Sequence, residues 1–121
     1  MIIILILTVL LGIGLAQAQQ TSESFVVTAH DDHFRVVGPV GWKQGTSMTL
    51  QNKTLVTLFG EVQAGSERRK VGTCSVKPGE FYSMDLKLAK GEEAVLIPMS
   101  PSFQEVLLQF GRRPYEIPPQ R

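Results

Sequence analysis

Between Arg69 and Ser100 the chain alternates apolar and polar residues, and it reverses at Val76-Lys77-Pro78-Gly79-Glu80 and again at Ala89-Lys90-Gly91-Glu92. Only an extended chain sends successive side chains to opposite faces, so this period of two predicts paired strands. Cys74 and Val76 share one face of the first run, and the apolar character of Val76 makes it the inner one. On the returning run Tyr82, Met84, Leu86 and Leu88 form the apolar set and are expected to face the core. Pro78 and Gly79 stand at the second and third positions of a type II turn, where φ must be about −60° and then positive.

Upstream, Phe25-Val26-Val27 and Phe34-Arg35-Val36-Val37 are short β-branched and aromatic runs, separated by the polar turn Ala29-His30-Asp31-Asp32-His33. The glycines and proline of Gly38 to Gly45 predict a loop, and Trp42 within it has the area to close one end of a core. Met48 and Leu50 alternate with Ser47, Thr49 and Gln51 as in a half-buried strand. Leu55-Val56-Thr57-Leu58-Phe59 is almost continuously apolar and predicts a central strand covered on both faces. Gly60 marks a bulge in that run, and Ala64-Gly65-Ser66-Glu67-Arg68 a turn after it. Ala94-Val95-Leu96-Ile97 is a further strand, which Pro98 should end.

From Ser100 to Gly111 two periods compete. Phe103, Val106, Leu107 and Phe110 fit a short helix near 101–110, capped by Ser100 and stopped by Gly111. Val106, Leu108 and Phe110 fit a closing strand equally well. Residues 112–121 hold Pro114, Pro118 and Pro119 and predict an extended C-terminal arm. Short strands punctuated by turns, without a long helix or a repeat, make the chain all-β. The expected architecture is a small antiparallel β-sandwich, immunoglobulin-like or cupredoxin-like, spanning residues 24–111, with a small closed barrel as the alternative.

The chain opens with an apolar run to Leu15 followed by Ala16-Gln17-Ala18, the small-polar-small pattern of a signal peptide. The run is shorter than the roughly 20 residues that span a bilayer, so export with cleavage before Gln19 is the expectation. No Lys or Arg precedes the run, so only the α-amino group supplies the usual positive charge. Residues 1–18 would be the signal peptide and 19–23 a polar leader, which places the domain outside the cytoplasm, periplasmic or secreted. The net charge of +1 asks for neither nucleic acid nor an acidic polymer. Cys74 is the single cysteine, so no disulfide forms within the chain.

His30, His33, Cys74, Met84 and Met99 are the ligand types of a blue-copper centre. In strand count and in the Val76-to-Glu80 turn the chain resembles the cupredoxins. That resemblance implies a sandwich whose copper is held by an upstream histidine, a cysteine, and a second histidine and usually a methionine in the loop just after it. No histidine follows Cys74, so the motif is incomplete. His30 and His33, with Asp31 and Asp32, also form an N/O set suited to copper or zinc, although four adjacent polar residues are equally an ordinary solvated turn. Cys74 has no flanking histidine or second cysteine to make it a nucleophile and reads as a small buried hydrophobe. Asn52-Lys53-Thr54 has the glycosylation pattern. Arg68-Arg69-Lys70 and Arg112-Arg113 are basic clusters on a turn and a tail.

The arm offers Arg112, Arg113, Tyr115 and Ile117 as candidate partner-binding residues, because a proline-stiffened segment loses little entropy on docking. It can equally pack across its own domain. No residue set supports catalysis. The functional expectation is therefore a non-catalytic exported binding or assembly module without a cofactor, such as a subunit of an envelope complex. Its partner would be another protein, not nucleic acid, and it would touch a membrane only through an uncleaved leader. The alternative is a periplasmic metal-binding or redox protein using copper or zinc at His30 and His33.

Overall fold

The computed structural model describes residues 24–100 and 104–118. The expected signal peptide and leader lie outside those residues, as do positions 101–103 of the segment left between helix and strand.

Among the described residues nine strands follow in order: β1 (Ser24–Ala29), β2 (Phe34–Val37), β3 (Ser47–Asn52), β4 (Leu58–Ala64), β5 (Arg69–Val76), β6 (Phe81–Asp85), β7 (Ala94–Ser100), β8 (Val106–Leu108) and β9 (Tyr115–Ile117). They form two sheets, ordered β6-β3-β1-β2-β9 and β5-β4-β7-β8, packed face to face as a β-sandwich. Among the described residues there is no helix.

One pairing departs from the antiparallel expectation. β1 and β3 run parallel, Phe25 opposite Met48 and Val27 opposite Leu50. The cause is the loop after β2, which passes the starting end of β1 and begins β3 there on its other side. Parallel neighbours need such a crossover. Gly38 allows it, since a Cβ there would sit 2.6 Å from the Phe25 ring. Trp42, in the same loop, donates its indole N–H to the Leu88 carbonyl at 2.9 Å and packs on the core, closing that end.

The core lies between the sheets. Phe25, Val27, Val36, Met48 and Leu50 come from one sheet and Val62, Val76, Leu96, Val106 and Leu108 from the other, all of them buried. Each such side chain contributes about 1.5–3 kcal/mol on leaving water, so the alternation along the strands is what holds the layers together. The turn between β5 and β6 has the expected form: Glu80 N–H donates to the Lys77 carbonyl at 3.0 Å and Gly79 has φ +79°.

Three local expectations are corrected, and one that the sequence left open is decided. The run Leu55 to Thr57 is not strand. Asn52 and Thr54 turn inward and fix a loop there, so β4 begins only at Leu58 and buries one face. Pro98 does not end β7, because it sits opposite Gly60 where the register slips by a bulge, and β8 pairs no further than Leu96. A missing N–H is tolerated at such a place. Residues 106–108 choose the strand: Val106 and Leu108 are both fully buried, two apart, and their backbone completes the edge of β7. Tyr82, expected inside, is 42 % exposed, because β6 is a sheet edge where the core thins.

The sandwich also extends beyond Gly111. β9 pairs with β2, Phe34 opposite Ile117 and Val36 opposite Tyr115. Residues Tyr115–Ile117 of the expected arm are thus an edge strand of the domain itself.

Candidate docking surface at one end of the sandwich

The two ends of the sandwich differ in chemistry. At one end lie the turn 30–33, the loop 53–57, the turn 77–80 and the tips of β4, β6 and β7. The opposite end carries Trp42 and the charged turns at 65–68 and 86–93.

Asn52 builds the first of these ends. It is 1 % exposed, at the last position of β3, and its Nδ2 donates to the carbonyls of Val56 and Val76, each at 2.8 Å. Its Oδ1 accepts from the Thr54 N–H at 2.9 Å and the Thr54 hydroxyl at 2.7 Å. The side chain therefore ties three elements: β3, the loop and the end of β5. With the polar residues of the loop turned inward, its apolar ones turn out, and Leu55 is 88 % exposed and Val56 49 %. In the folded chain both amide hydrogens of this Asn are engaged within the domain.

At the same end Phe59 and Met99 are exposed on the outer face of β4 and β7, and Phe81 and Tyr82 are exposed at the start of β6, on its two faces. Six of the nine large apolar side chains exposed among the described residues thus stand at one end. Phe59, Tyr82 and Met99 rim a shallow depression floored by Gly60 and Cys74. Lys53, Lys77 and Glu80 are exposed charges in the loop and the turn at the same end.

Cys74 faces inward, as expected. Its thiol leans on the Gly60 carbonyl at 3.8 Å, and burial pushes its pKa up, with the Gly60 contact working weakly in the other direction. That is the opposite of an activated nucleophile.

His30 and His33 also sit at this end, with their rings stacked at 4.6 Å between centroids and 21° between planes. The Nδ1–H of His33 donates to Asp32 at 2.7 Å, and its Nε2 lies 3.6 Å from Glu116 on β9. The His33 hydrogen bond holds the Asp32 carboxyl below the usual carboxylate range. Both nitrogens of His33 already face carboxylates, and the two rings lie face to face rather than aiming at one point. Among the described residues no three His, Cys, Asp or Glu side chains gather as a metal-holding group.

The residues of the arm separate. Tyr115 and Ile117 are each 8 % exposed and belong to the core cluster. The Tyr115 hydroxyl donates to the Leu107 carbonyl and accepts the Gln109 N–H at 3.3 Å, which links β9 to β8 across the two sheets. Arg112 stacks 3.7 Å over the Tyr115 ring and donates to Gln109 at 2.9 Å, while Arg113 is exposed. Partner docking through Tyr115 and Ile117 would require their removal from the core. The other basic cluster is largely neutralised within the chain: Arg68 grips Glu105 through both terminal nitrogens at 3.2 and 3.1 Å, and Arg69 pairs with Glu92 at 3.0 Å.

The exposed group Leu55, Val56 and Phe59 was legible only as a buried strand. The available signal was Asn52-Lys53-Thr54 itself, since Asn and Thr two apart commonly hydrogen-bond to the local backbone and hold a turn. Compared with known proteins, the chain matches no family model, no curated protein and no solved structure.

Proposed function

We propose that this is a non-catalytic, extracytoplasmic binding or assembly module that docks another protein, without a cofactor, through the apolar end of its sandwich. The observation that carries this reading is the gathering of Leu55, Val56, Phe59, Phe81, Tyr82 and Met99 at that end. Scattered exposed apolar residues are ordinary, whereas the concentration of most of them at one end of a domain is a feature of interaction sites. The raised Cys74 pKa and the intramolecular pairing of Arg68 and Arg69 support a scaffold role for the rest of the molecule. The signal-like start favours the periplasm or the secreted fraction.

Site-specific photocrosslinking in the native host tests the reading. A crosslinker at Leu55 or Met99 is expected to trap a discrete adduct, and one at Lys90, in the exposed turn at the opposite end of the sandwich, is not. Equal yields at all three positions, or none at any, would refute it. N-terminal sequencing of the recovered protein tests export, with Gln19 as the expected first residue.

A further inference from the structure

Natural sheets blunt their edges, because unpaired N–H and C=O groups invite a foreign strand. Among the described residues the two sheets have four edges, and three of them are blunted. β9 is three residues long and lies between Pro114 and Pro118, and β8 is equally short. β5 carries Arg69 and Lys70 and lies against a bulge between Val62 and Gln63. β6 is the exception, with five residues in unbroken register on β3 and no Pro, Lys, Arg or bulge. It also exposes Phe81 at 69 % and Tyr82 at 42 %.

The register fixes which backbone groups face out. Leu86 N–H donates to the Thr46 carbonyl and Asn52 N–H to the Glu80 carbonyl, so the even-numbered residues of this ladder bond to β3. In an antiparallel pair bonding alternates, and the N–H and C=O of Phe81, Ser83 and Asp85 therefore point away from the sheet.

We infer that β6 pairs antiparallel with β6 of a second copy of this chain about a two-fold axis at Ser83, joining two five-stranded sheets into one. This rests on the reading of the protein as an assembly module and names one of its partners. The strand is self-complementary in that register. Ser83 meets Ser83 of the second copy, and Phe81 meets Asp85, each as a hydrogen-bonded pair. On the side facing the core, Tyr82 meets Met84 of the second copy, a favourable sulfur–aromatic pairing. No like charges oppose one another along the strand. Asp85 is already turned back, accepting the Lys87 N–H at 2.8 Å, so it does not obstruct the edge. The two-fold axis inverts the strand direction and so keeps the Arg69-Lys70 ends of the two β5 strands apart. The interface is isologous and closes as a dimer instead of propagating a fibre.

Sedimentation equilibrium of the protein purified after expression of the full chain tests this, with Ser83→Pro as the first variant. That N–H faces outward, so its loss leaves the β3 ladder intact. The expected result is reversible dimerisation, with the dissociation constant raised more than about tenfold by Ser83→Pro and by Tyr82→Lys. A second measurement places a spin label on a cysteine introduced by Ser83→Cys, and a short label-to-label distance in the dimer is expected. A monomer at every concentration overturns the pairing while leaving the photocrosslinks at Leu55 and Met99 to judge the docking surface. A dimer that ignores both β6 variants, or whose labels at Ser83 lie far apart, also overturns it.

Discussion

Asn52 concentrates more of this structure than any other single residue, because four hydrogen bonds converge on one buried amide. Removing it leaves the Val56 and Val76 carbonyls without those donors and the Thr54 groups without that acceptor. An unsatisfied buried group costs about 1–3 kcal/mol. Asn52→Ala is therefore expected to lower unfolding stability by about 2–4 kcal/mol, read as a lower urea midpoint at unchanged slope. A change below about 0.5 kcal/mol would contradict the role assigned to it. Cys74 supplies a second test at this scale. Its buried, upshifted thiol should react slowly with a thiol reagent in the native protein and quickly in denaturant; rapid native labelling would contradict the inward orientation. Glu92 supplies a third. The Ala89 N–H, at 2.9 Å, and then the Arg69 guanidinium hold its carboxyl below the ordinary value. A depressed carboxyl contributes stability that is present above its unfolded pKa of about 4.3 and is lost as pH falls through the folded pKa. Arg69→Ala should move the Glu92 midpoint upward in an NMR titration, and an unmoved midpoint would remove Arg69 from that account.

At the scale of elements, β9 is where local reading and tertiary packing diverge most. Three prolines mark its surroundings as irregular, and the strand is only three residues long, between Pro114 and Pro118. Between Pro114 and Pro118, however, Tyr115 and Ile117 are spaced two apart, which suits a short strand that buries both. Burying two large side chains is worth about 3–6 kcal/mol. Truncation after Gly111 is accordingly expected to depress the thermal midpoint sharply, and a truncated chain with wild-type stability would show that β9 is dispensable. A binding assay on that truncation would report folding before it reported any partner. Tyr115→Phe is the milder probe: it keeps the ring and removes the bond to Leu107, for an expected loss of about 1 kcal/mol in denaturant unfolding. β8 teaches a related point. Val106, Leu107 and Leu108 satisfy two periods over three residues, and the free edge of β7 decides between them.

At the scale of the whole molecule, the large apolar residues lie mostly in a closed core, and six of the nine exposed among the described residues stand at one end. Leu55→Ser combined with Val56→Ser should leave stability within about 0.5 kcal/mol, since neither side chain contributes to the core, and should abolish the partner adducts trapped from Met99. Unchanged adducts would move the docking surface elsewhere. The sequence by itself determined the β class, the type II turn at Pro78-Gly79, the bulge at Gly60 and the inward face of Cys74. These depend on a period of two and on the φ that Pro and Gly permit, both properties of a few adjacent residues. Only the tertiary structure decided the parallel pairing of β1 with β3, the use of 106–108 as strand, the docking of β9 and the exposure of Leu55 and Val56. Each of those depends on which distant backbone is left needing a partner, or on a side chain such as Asn52 reaching β5 from β3. Such demands arise only once the sheets are assembled, so no window of neighbouring residues contains them.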